Sequence, residues 1–103
     1  MVQKKAKEIK LHLGCGKRNI PGFINIDQSK YKHIDYNISV TDLSIFKNNS
    51  VDMIYASHIL EYFDLNETYK VLREWRRVLK KNGLLRLSIP NLESLIKVYK
   101  KTK

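Results

Sequence analysis

The run Glu8 to Leu13 (EIKLHL) alternates polar and apolar residues and ends on Gly14-Cys15-Gly16. Alternation with period two is the pattern of a half-buried strand. Two glycines around one small residue then force a tight, bare turn. A strand feeding such a turn is how an α/β sheet opens a ligand site, because ligands in these sheets sit beyond the carboxyl ends of the strands. Taken alone, Gly-x-Gly is equally well a plain turn. The longer Gly-x-Gly-x-x-Gly is not present, since Asn19 stands at the third position.

The rest of the chain alternates strand-like and helix-like segments. Phe23 to Asp27 (FINID) reads as a second strand, opened by Pro21-Gly22, and His33 to Ile38 as a weaker third. Val51 to Ala56 (VDMIYA) is a fourth, after the turn formers Asn48-Asn49-Ser50. Asp64 to Lys81 is the clearest helix. Asp64 can cap it with Glu67 at the reciprocal position, and Leu65, Tyr69, Leu72, Trp75 and Leu79, widened by Val71 and Val78, form its apolar face. Gly83 is expected to stop it. Leu84 to Ile89 is a fifth strand ended by Pro90, and Asn91 opens a last helix. This order predicts an α/β fold with a mainly parallel sheet. Only six residues separate Gly16 from Phe23, too few for a crossover helix of about a dozen. A loop is expected there, the alternative being a hairpin.

Length and composition bound the rest. At 103 residues the chain is expected to form one domain, residues 1–103, with frayed basic tails at 1–7 and 101–103. No run reaches the roughly 18 apolar residues of a membrane span, and the first residues lack the apolar segment of a secretory signal. A cytoplasmic location is the default expectation. The single cysteine excludes an internal disulfide framework, and the three histidines show no metal spacing. The net charge of +10 is uneven: residues 30–69 carry −3 and residues 70–87 carry +6. Solvated helix faces account for this; the sharper alternative is an anionic partner such as a nucleic acid or a sugar phosphate.

Asp27 closes the second strand eleven residues after Gly16. An acidic residue there can accept both hydroxyls of a ribose. With that pair in view, the chain resembles the class I, Rossmann-like methyltransferases that depend on S-adenosylmethionine. The matching text is LHLGCG, PGFINID, NNSVDMIYASHILEYF and EWRRVLKKNGLLRLSIPNLE, in the family's order. The resemblance implies a minimal sheet of about five strands, ordered 3-2-1-4-5, without the C-terminal strands of the full fold. It also implies that Gly14, Cys15 and Gly16 lie against the methionine part of the cofactor. Asp27 would bind the ribose, with Ile26 and Gln28 beside it. Thr41, Asp42 and Leu43 would approach the adenine, where either Ser39 or Asp42 fills the family's acceptor position. Ser57 and His58 would face the methyl donor.

His58 is the candidate catalytic base. Its alternative is a structural or cofactor-adjacent role, since displacement at a sulfonium methyl needs chiefly positioning. Cys15 reads as a small loop residue and His12 as a packed one. The implied activity is methyl transfer to an unidentified acceptor, leaving S-adenosylhomocysteine. The competing reading is a reduced fold that binds without turnover. An open fifth strand would be a sticky edge, so a homodimer covering it is expected.

Overall fold

The computed structural model describes residues 8–57 and 59–88, Glu61 by its backbone alone. The elements are β1 (Lys10–Leu13), β2 (Ile24–Ile26), β3 (Val51–Ser57), a 3-10 turn (Leu60–Tyr62), α1 (Leu65–Val78) and β4 (Leu79–Ser88). The strands form one sheet in the order β2-β1-β3-β4, every pairing parallel. This is the expected α/β, Rossmann-like class. Parallel pairing of β1 with β2 excludes the hairpin, and an irregular loop carries the chain between them.

The strand count differs from expectation. Residues 33–38 do not form a strand; they contribute one parallel bridge, Ile26 to Tyr36. The remaining order is the predicted one. One side chain and two irregular main-chain bonds stand in for the missing ladder. Asp35 Oδ2 accepts from Asn25 N at 2.7 Å, and the N–H groups of Asp35 and Tyr36 both donate to Asn25 O. A polar segment that satisfies its neighbour's backbone in this way has little to gain from regular pairing.

Helix α1 starts as predicted. Asp64 accepts from Glu67 N at 2.8 Å and Glu67 returns a bond to Asp64 N, a complete capping box. It ends earlier, at Val78. The Asn48–Ser50 turn supplies donors to its last carbonyls, Asn49 N to Arg77 O and Ser50 N to Val78 O, and Leu79 leaves in extended conformation to pair with Val51. Gly83 is therefore not the stop. It lies inside β4 where the register shifts, and a Cβ there would come within 2.9 Å of the Lys80 carbonyl oxygen. The buried stripe is Thr68, Val71, Leu72, Trp75 and Val78; Leu65, expected on the apolar face, is 53% exposed.

The core lies between α1 and the sheet: Leu11, Leu13, Ile26, Val51, Ile54 and Trp75 are fully buried. His12 is buried as well, stacked on Tyr55, with Nδ1 donating to Asn25 Oδ1 at 3.1 Å. Burial, foremost, holds its pKa below 6.5 and keeps it neutral. Asp52 fastens the start of β1, accepting from Ile9 N at 2.7 Å and from Lys80 Nζ at 2.9 Å. The predicted helix from Asn91 lies outside the described residues.

Candidate functional site

The carboxyl ends of β1 and β2 lie side by side, and the chain beyond each is bound to the other. Past β1 the backbone turns through Gly14 (φ +64°) and Gly16 (φ +53°), angles that side-chain-bearing residues avoid. Gly14 N donates to Ile26 O at 2.9 Å, pinning the turn to the end of β2. Asp27 follows immediately. Its Oδ2 accepts from Gly16 N at 2.8 Å and its Oδ1 from Ser29 N at 2.7 Å. Burial pushes its pKa up, but the amide donors of Ser29 and Gly16 outweigh burial and hold it below 3.8. The Ser29 side chain and the Gln28 backbone act in the same direction, and the carboxylate is ionised at neutral pH.

A cleft of about 210 Å³ opens beside this pair, lined by Gly14, Asp27, Gln28, Ser39, Val40, Thr41, Ile59 and Phe63. Its far wall is an irregular loop held by α1. Trp75 Nε1 donates to Val40 O at 2.9 Å, and Leu43 N donates to Glu74 Oε2 at 2.7 Å. Arg77 pairs with Glu74 at 2.8 Å and also donates to the carbonyls of Leu43 and Phe46. Glu74 is held below 4.5 by Arg77 first, and also by Leu43 N, against burial. The lining is therefore polar at Asp27, Gln28, Ser39 and Thr41 and apolar at Val40, Ile59 and Phe63.

Of the residues named from sequence, the structure brings Gly14, Asp27, Gln28 and Thr41 to this cleft. Between Ser39 and Asp42, Ser39 lines it; Asp42 is exposed and accepts from Ser44 N at 3.0 Å. Ile26 and Leu43 are fully buried core residues, set behind the lining rather than in it. Cys15 is buried too, its thiol pKa raised by burial first and then by the charge of Asp27, which leaves it no thiolate character. Gly16 meets the site through its bond to Asp27. Ser57 closes β3, paired with Ser88 and away from the cleft lining. His58 lies outside the described residues. Sequence reading missed Val40, Ile59 and Phe63, which look like any core apolar residues until the fold sets them at the strand ends. It also missed His33, whose Nε2 lies 2.6 Å from Gly16 O. Among the described residues no group of three or more His, Cys, Asp or Glu is arranged to hold a metal, and no helix is long and apolar enough to cross a membrane.

Neither the curated proteins nor the solved structures return a match. A family model described as methyltransferase domain matches residues 11–87, from within β1 to within β4, and so takes in the glycine turn, Asp27 and the whole cleft. Matched over well more than half its length, the chain belongs to the methyltransferase domain family.

Proposed function

We propose that the chain binds S-adenosylmethionine in the cleft between the glycine turn and the Ser39–Thr41 loop, and directs its methyl group to an acceptor. The observation that carries this reading is Asp27. It is an ionised carboxylate at a strand end, bonded to the glycine turn and lining the cleft. A vicinal ribose diol supplies hydroxyl donors of the kind a carboxylate in this place accepts. Val40, Ile59 and Phe63 offer an apolar wall suited to a flat heteroaromatic base, and Ser39, Thr41 and Gln28 offer polar groups at its edge. At Gly14 an added Cβ would come within 3.0 Å of the Ile59 side chain, so the bare turn keeps the cleft open.

When bound, the sulfonium would supply an activated methyl group for in-line displacement, with a thioether as the leaving group. The protein's part is to hold and orient. Asp27 fixes the sugar, the turn allows close backbone approach, and the apolar wall excludes water. Positioning of this kind lowers a displacement barrier without a base, by making the encounter effectively unimolecular.

Calorimetric titration of purified protein with S-adenosylmethionine tests the reading. Wild type is expected to bind at micromolar concentration and Asp27→Ala to lose that binding. A folded wild type that does not bind overturns the proposal. Transfer of labelled methyl from the cofactor into a cell extract then separates an enzyme from a module that binds without turnover.

A further inference from the structure

Gly16 is held through both of its backbone polar groups. Its N–H donates to Asp27 Oδ2 at 2.8 Å, and its carbonyl accepts from His33 Nε2 at 2.6 Å. A carbonyl can only accept, so Nε2 carries the hydrogen. The ring is stacked on Tyr31, centroids 5.8 Å apart and planes within 12°. The segment that carries His33 also braces Asp27. Ser29 N donates to its Oδ1, Asn37 Nδ2 donates to its carbonyl at 3.0 Å and to Ser29 O at 2.8 Å, and Tyr36 O accepts from Asp27 N at 3.3 Å.

We propose that His33 is a positioning residue for the cofactor cleft, holding Gly16 so that its N–H stays aimed at Asp27 and the Asp27 carboxylate stays aimed at the ligand. Gly14 N and buried Cys15 anchor the start of the turn. Gly16 has φ +53° and no side chain of its own to pack, so its orientation rests on the two hydrogen bonds to its N–H and its carbonyl. Without His33 the carbonyl is released, the turn relaxes and the Gly16–Asp27 bond opens more often. His33 itself is absent from the cleft lining, so it acts through Gly16 and touches no ligand.

His33→Phe keeps a ring for Tyr31 and removes the donor; His33→Gln restores a donor of similar reach. In ligand-free protein, the Gly16 amide is expected to exchange about 2- to 10-fold faster in His33→Phe, the range of one net hydrogen bond, and to recover in His33→Gln. This readout does not depend on any cofactor. The second readout rests on the proposed function: S-adenosylmethionine affinity is expected to fall by a similar factor in His33→Phe and recover in His33→Gln. Unchanged Gly16 exchange in His33→Phe overturns the inference, as does His33→Gln behaving like His33→Phe. Wild-type protein that binds no cofactor overturns the functional reading, while the exchange data still decide the role of His33.

Discussion

Trp75→Phe tests how α1 builds the far wall of the cleft. Trp75 is fully buried, and its indole N–H donates to Val40 O at 2.9 Å. Phenylalanine keeps most of the apolar contact but cannot donate. Leaving the Val40 carbonyl unpaired costs about 1–3 kcal/mol. The smaller ring adds about 1 kcal/mol, a fraction of the ~3–5 kcal/mol for removing the side chain entirely. The expected loss is therefore about 2–4 kcal/mol, a large share of the ~5–15 kcal/mol that holds a domain of this size together. Urea unfolding measures it directly, with the slope unchanged and the midpoint lowered. By melting, the loss corresponds to about 8–32 °C, at ~4–8 °C per kcal/mol. Because Val40 lines the cleft, ligand affinity falls with it under conditions where the variant is still folded. A loss under ~1 kcal/mol refutes the reasoning, since it means the indole–carbonyl bond does not tie this loop to the helix.

The two turn glycines are expected to respond differently. Gly16→Ala carries only backbone strain, about 1 kcal/mol, whereas Gly14→Ala adds a contact at 3.0 Å to Ile59 and encroaches on the cleft. Urea titration of both variants, with ligand binding alongside, checks this; equal effects on binding would refute the role given to Ile59. Acid stability follows from Asp27 and Glu74, both held below their ordinary values of 3.8 and 4.5. A depressed carboxylate stabilises the fold fully above its ordinary value, and that stabilisation is lost as pH falls through the folded value. Stability is expected to be flat down to about pH 5 from these groups and to decline below it. Glu74→Gln should flatten part of that decline, and a decline of the same steepness would show that Glu74 does not contribute.

Local signals carried far in this chain. Alternation into Gly14-Cys15-Gly16 located β1 and its turn, and the Asp64–Glu67 pair fixed the start of α1 to the residue, because a capping box is a contact between neighbours in sequence. Asp27 was legible for the same reason: it ends a short apolar strand at a fixed interval from the turn. Signals failed where a partner distant in sequence decided the outcome. Gly83 looks like a helix stop, yet donors from the Asn48–Ser50 turn end the helix at Val78 and β4 draws the following residues into the sheet. Residues 33–38 look strand-like, yet Asp35 and Asn37 spend their side chains on the backbone of β2 and the residues after it.

The sequence by itself determined the alternation of strands and helix, the bare turn and the acidic strand end, since each is a pattern among neighbouring residues. The order of the strands in the sheet came from the family resemblance and rests on pairings such as Lys10 with Met53. Tertiary structure alone decided the walls of the site. Val40, Ile59 and Phe63 meet only when the sheet, the 3-10 turn and the loop held by Trp75 converge at the strand ends. His33 reaches Gly16 across 17 residues of chain, a distance over which no periodicity or propensity gives a signal.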